Sequence, residues 1–130
     1  MQRSLEHLFL SLIQSERDLS RQPPPATSLV ALAQKVIDVH ASNPRFSASR
    51  LAGALNVSLS TLYRAYERTG TSPAQEIRSH RLARARRLLS CVREPTPSML
   101  AEVAQLAGFG SLRSMHRARL AELGIEDAAQ

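Results

Sequence analysis

Two small groups of side chains set the chemistry open to this chain. Ser60, Tyr63 and Arg64 stand at helical spacing beside Leu62 and Tyr66. Leu62 and Tyr66 are four residues apart and define a buried face, which turns Ser60, Tyr63 and Arg64 outward. Leu112, Arg113, His116 and Arg117 repeat the arrangement some fifty residues later. An arginine head is a planar, permanently charged fork suited to phosphate oxygens and guanine edges. Such clusters recognise a polyanion; they do not break bonds. Nothing else in the sequence offers catalysis: there are no paired carboxylates, no phosphate-cradling glycine loop and no Ser/His/Asp arrangement. His7, His40, His80 and His116 are scattered without ligand spacing, and Cys91 is the single cysteine. No metal site and no cofactor is therefore expected, and Cys91 reads as a small packing residue. The chain is not expected to be an enzyme.

Charge supports the same chemistry. The 130 residues carry Lys+Arg 17 against Asp+Glu 11, a net charge of +6. All the cations but Lys35 are arginines. Residues 1–45 are nearly balanced, with five cations against four acids, whereas residues 46–130 hold twelve against seven. The excess lies where the two clusters lie, which is the footprint of a polyanion-binding region.

The elements that must position these clusters are helices. Hydrophobic residues make up 43% of the chain and aromatics 4%, so the core is aliphatic and rich in Leu and Ala, a composition favouring helix over strand. Leu5, Leu8, Phe9, Leu12, Ile13 and Leu19 form one apolar stripe, with Ser4 as a cap. A stiff linker, Arg21-Gln22-Pro23-Pro24-Pro25, follows. A second helix is predicted from Ser28, burying Leu29, Leu32, Ala33, Val36 and Ile37, and stopping at Ala41-Ser42-Asn43-Pro44. Ser47 caps a short helix with Leu51, Ala52 and Leu55; Asn56-Val57 turns the chain; Ser58 caps the helix carrying Arg64. Gly70-Thr71-Ser72-Pro73 closes it and opens the longest helix, which runs to about Cys91 and buries Ile77, Leu82, Ala85, Leu88 and Leu89. After the loop Arg93–Pro97, Ser98 is expected to cap a helix with Leu100, Val103 and Ala104. Gly108-Phe109-Gly110 turns into a last helix opening at Ser111 or Leu112 and ending at Gly124. No segment shows strand alternation, so the fold class is all-α. No apolar run is long enough to span a membrane, and the chain reads as cytoplasmic.

Short helix, tight turn and second helix thus occur twice. Ala52 corresponds to Ala104 and Arg64 to Arg117, shifts of 52 and 53, so the second turn is one residue longer. A small residue is required where two helices cross closely, and the hydrophobe after the turn, Val57 or Phe109, plugs the corner.

This pattern resembles the DNA-binding region of the AraC/XylS transcription regulators over roughly Phe46 to Gly124. The resemblance rests on Ser47-x-x-x-Leu51-Ala52 with Val57-Ser58-x-x-x-Leu62-x-Arg64. It continues through Gly70-x-Ser72-Pro73, Arg81-Leu82-x-x-Ala85-Arg86-x-x-Leu89, and Leu100-x-Glu102-Val103-Ala104-x-x-x-Gly108-Phe109. The departures are a first recognition helix one residue short before Gly70, Met115 and Arg119 where the family places buried aromatics, and Asp127 where it has proline.

The resemblance implies two helix-turn-helix subdomains of homeodomain-like three-helix form: the first at about 47–70, a linker helix at about 73–91, the second at about 98–123. Residues 1–45 precede this domain and residues 125–130 form a tail. It implies a sequence-specific, double-stranded-DNA-binding regulator or activator acting at bacterial promoters and contacting RNA polymerase. Its expected DNA-binding residues are Ser60, Tyr63, Arg64, Leu112, Arg113, His116 and Arg117, with Tyr63 reaching a thymine methyl or a phosphate. The predicted linker helix, 19 residues at about 1.5 Å each, spans about 28 Å, of the order of one DNA turn. Arg78, Arg84, Arg86 and Arg87 on it are candidates for phosphates, for pairing with Glu76, or for a solvated surface, and Arg81 is expected to be structural. Residues 1–45 are too short and too helical for the sensor domain often found upstream in the family. The apolar stripe predicts self-association through residues 4–19 or packing on the DNA-binding part. The alternative function is a shortened regulator that acts as an interaction or interfering protein without productive DNA binding.

Overall fold

The computed structural model describes residues 26–124. The N-terminal stripe with its Ser4 cap, the proline linker, Asp127 and the tail at 125–130 lie outside the described residues. Among those described, all regular structure is helical: α1 Ala26–His40, α2 Ala48–Ala54, α3 Leu59–Tyr66 with a 3₁₀ turn at Glu67–Thr69, α4 Pro73–Leu89, α5 Pro97–Ala107 and α6 Leu112–Glu122.

The chain divides into two compact units. The first comprises residues 26–39 and Ser47–Glu76; the second comprises His40–Phe46 and residues 77–124. In the first, Leu29, Val30, Ala33, Val36 and Ile37 of α1 are buried, as are Leu51, Ala52, Leu55, Leu62, Ala65 and Tyr66. The i, i+3, i+4 spacing of these residues creates one apolar stripe per helix. In the second, Leu82 and Ala85 of α4 form a cluster with Val103, Ala104, Ala107, Met115 and Ala118. Leu88, Leu89, Leu100, Phe109 and Leu112 pack around it, half-buried.

The helix starts follow local chemistry. Ser47 Oγ accepts from the Arg50 amide, and Ser58 Oγ from the Thr61 amide, satisfying donors that a helix N-terminus leaves open. Three boundaries differ from the sequence expectation. First, α1 is already helical at Ala26, the first described residue and two residues before Ser28. Second, α4 ends at Leu89, so Cys91 sits just past it and is exposed rather than packed. Third, the cap of α5 is Thr96, not Ser98; its Oγ1 accepts from the Met99 amide at 3.2 Å. Pro97 decides this, because a residue with fixed φ and no N–H fits the first helical position best.

The second unit is organised around Arg81. Its Nε donates to the Ala41 carbonyl at 2.7 Å, and its Nη2 to the carbonyls of Asn43 and Phe46 at 3.0 and 2.9 Å. One planar fork thus satisfies three carbonyls of the turn that follows α1. Burial of the head lowers its pKa from the ordinary arginine value, yet three oxygens surround the charge. Gly108 makes room for this arrangement: at φ +105 it is left-handed, and a Cβ there would collide with the Ala41 carbonyl oxygen and stand 2.9 Å from Arg81 Nε. The structural role expected for Arg81 is thus realised as a clamp on the 41–46 turn.

Replacing Arg81 by Ala should lower stability by about 2–4 kcal/mol, because three carbonyls lose a charged donor. Arg81→Lys should recover only part, since an ammonium lacks the fork that reaches all of them. Urea denaturation of the three proteins checks this; equal midpoints would show the clamp to be dispensable.

Candidate nucleic-acid interface

The two helix pairs share their backbone hydrogen-bond pattern up to one residue. In the first, the Val57 amide bonds back to the Ala52 carbonyl at 3.0 Å, and Asn56 between them is left-handed at φ 56. In the second, the Phe109 amide bonds to the Ala104 carbonyl at 2.9 Å, with Gly108 in the left-handed position. Both are the return bond that ends a helix at a left-handed residue. The units then diverge. Val57 is followed at once by the capping Ser58, whereas Phe109 is followed by Gly110, left-handed at φ 79, before Ser111.

Gly110 is therefore the additional residue of the second turn. Its carbonyl accepts from Gln105 Nε2 at 2.6 Å. Counting from the matched alanines, the first unit has Gly53 at the position of Gln105. The longer turn thus comes with the one side chain that can hold it.

Register is restored at the caps. Ser58 Oγ accepts from the Thr61 amide and donates to Thr61 Oγ1 at 2.8 Å. Ser111 Oγ accepts from the Ser114 amide and donates to Ser114 Oγ at 3.1 Å. From there the shift is 53 throughout, so Leu62 matches Met115, Ala65 matches Ala118, and Ser60, Tyr63 and Arg64 match Arg113, His116 and Arg117.

Burial follows this correspondence. Leu62 and Ala65 are buried, and so are Met115 and Ala118. Ser60, Tyr63 and Arg64 are all exposed on α3, and Arg113, His116 and Arg117 on α6. Each helix offers its three polar residues from one outer face. Leu112 departs from the outward position expected of it: it is half-buried against the second unit's core, so its side chain is partly engaged there.

The inner faces differ at one position. Tyr66 is 1% exposed and anchors the end of α3, where Thr69 Oγ1 donates to its carbonyl at 2.7 Å before Gly70 turns the chain. Its counterpart Arg119 is exposed, so α6 rests on Met115 and Ala118 without an aromatic anchor. That places the arginine head in water, the only comfortable outcome at a site where an aromatic would be covered. The Tyr66 phenol sits beside Glu76. Burial first, and then the neighbouring carboxylate, push its pKa well above the ordinary tyrosine value. Glu76 itself takes a long contact from Gln34 Nε2, at 3.4 Å, rather than pairing with an α4 arginine.

Two of the α4 arginines considered for phosphate contact already have protein partners. Arg84 Nε donates to the Leu106 carbonyl at 2.9 Å, and Arg86 forms an ion pair with Glu122 at 2.6 Å. Sequence reasoning missed both, because each joins residues far apart in the chain. It also missed an open cavity of about 700 Å³ in the first unit, lined by Ala26, Thr27 and Val30 of α1 and by Arg64, Ala65, Glu67, Arg68 and Thr69. Among the described residues no three His, Cys, Asp or Glu side chains gather as a metal site, and no helix is long and apolar enough to cross a membrane.

Comparison with known proteins agrees with this geometry. A family model described as a helix-turn-helix domain, of AraC type, matches residues 51–126, more than half the chain. Neither the curated proteins nor the solved structures give a match.

The Tyr66 environment has a measurable consequence. Because its folded pKa lies above the free value of 10.0, the stability contributed by the neutral phenol is complete below pH 10 and is lost as pH rises past it. In a Tyr63→Phe background, which leaves Tyr66 as the sole tyrosine, tyrosinate absorbance should appear only with alkaline unfolding. A reversible midpoint near pH 10 in the folded protein would contradict the buried site.

Proposed function

The chain belongs to the AraC-type helix-turn-helix family of DNA-binding transcription regulators, and from that premise we propose that it reads promoter DNA in a sequence-specific way through α3 and α6, set into successive major grooves. The observation that carries this reading is the repeated outer face: Ser60, Tyr63 and Arg64 on one helix and Arg113, His116 and Arg117 on the other, exposed in the same register behind the same serine cap. A second helix capped and packed in this way enters the major groove with its outer residues at the base edges.

The roles differ by side chain. Arg64 and Arg117 fork onto guanine O6 and N7, the commonest specific contact. Tyr63 meets a thymine methyl or a phosphate. Ser60, Arg113 and His116 supply phosphate or base-edge hydrogen bonds that fix each helix in its groove. Leu112 contributes at most an apolar edge, since its side chain is shared with the core. The net charge of +6 supplies the attraction that is independent of sequence and falls as salt rises.

Sites selected from random DNA, followed by gel shifts at several salt concentrations, test the proposal. Two short motifs should emerge, about one helical turn apart. Arg64→Ala and Arg117→Ala should each cost about 1–3 kcal/mol, roughly 5- to 150-fold in affinity, and relax preference at a guanine of different motifs. Loss from Arg64→Ala alone would confine reading to the first unit. Absence of any preferred sequence at low salt, with a protein partner captured instead, would favour the interfering-protein alternative.

A further inference from the structure

The open cavity of the first unit lies beside Arg64 and has no role in the reading above. Its lining is small and apolar at Ala26, Val30 and Ala65 and charged at Arg64, Glu67 and Arg68. At about 700 Å³ it is large enough to take several side chains of a docked segment.

One candidate occupant is tethered to its edge. Ala26, a lining residue, is the first described residue of α1, so residues 1–25 join the described structure at the cavity. That segment carries the apolar stripe Leu5, Leu8, Phe9, Leu12, Ile13 and Leu19, followed by only six residues, Ser20 to Pro25. Six residues reach at most about 20 Å, and three consecutive prolines stiffen the tether. An apolar stripe held so close experiences an effective concentration in the millimolar range. At ordinary protein concentrations this favours the chain's own cavity over a second copy. Glu16 and Asp18 lie near the tether and supply carboxylates for Arg64 and Arg68.

We propose that the apolar stripe at residues 5–19 docks in this cavity, where it covers Arg64 and competes with DNA for it. The competition rests on the reading of Arg64 given above, whereas the docking does not. DNA binding by the first unit then requires the segment to leave, so apparent affinity is reduced by the fraction of molecules in which it is seated. The segment acts as an internal competitor whose strength is set by apolar contact and by two ion pairs.

The full-length chain allows a direct test. In a Cys91→Ser background, Leu12→Cys is combined either with Glu67→Cys on the cavity rim or with Ser49→Cys, an exposed site on α2 that does not line the cavity. Under mild oxidation the Glu67 pair should form an intrachain disulfide at least about tenfold faster than the Ser49 pair, at a rate independent of protein concentration. A selected DNA site should slow that reaction. Leu12→Asp should raise DNA affinity about threefold or more, although it adds a negative charge that by itself weakens DNA binding. Equal rates for the two pairs, or disulfides formed mainly between chains, would overturn docking in the chain's own cavity. Preferential disulfide formation that bound DNA leaves unchanged would overturn the competition. Disulfide preference is read without DNA, so a protein that bound no DNA would count against the function proposed above and not against the docking.

Discussion

The half-buried Arg81 guanidinium, held against three backbone carbonyls, is the constraint from which the second unit is built. A turn such as 41–46 presents carbonyls outside any helix ladder; that of Asn43 takes the Phe46 amide as well, and part-buried carbonyls that lose a donor are costly. Arg81 answers three of them at once. The arrangement requires an arginine, because only a rigid fork presents donors at that spread. It also requires a glycine at 108, where any Cβ would strike the Ala41 carbonyl. That glycine is at the same time the left-handed residue ending α5. The clamp and the second helix-turn-helix corner therefore share one atom-scale space, and neither can be altered without the other.

Most of the fold was legible in the sequence because its signals are local. Ser47, Ser58 and Ser111 announce helix starts, Pro73 fits the first position of α4, and the inward spacing of Leu62 with Tyr66 and of Leu82 with Ala85 matches the observed burial. The misplaced cap of α5 was a contest between two local signals, Ser98 as a cap and Pro97 as a first residue, and the rigid φ of proline prevailed. The face of α6 was legible except at its first residue, since Leu112 sits at the edge between the core stripe and the outer face. What could not be read from spacing were the partners chosen across the fold: Arg84 with the Leu106 carbonyl, Arg86 with Glu122, and Glu76 with Gln34. Periodicity says which way a side chain points, not what awaits it there.

Those partners refine the meaning of the positive charge. Arginine is suited to two tasks, reading an anion and tying up carbonyls, and in this chain the second is visible atom by atom. Arg81 and Arg84 serve the backbone, and Arg86 serves an acid. Arg64 and Arg113 stand on exposed helix faces. A count of cations therefore overstates what is available to a nucleic acid along α4.

The single residue by which the two turns differ also fixes where the two halves could be exchanged. From the capping serines onward, α3 and α6 share one register, down to the second hydrogen bond of each cap. Before the serines they do not, because Gly110 and the Gln105 side chain that holds it belong to one turn only. A helix transplanted from serine to serine would arrive facing the right way. One transplanted from alanine to alanine would carry the length difference with it and arrive rotated. The serine is thus the natural seam of this duplicated architecture: α3 and α6 can be recombined or diversified there, while each turn stays with the unit it was fitted to.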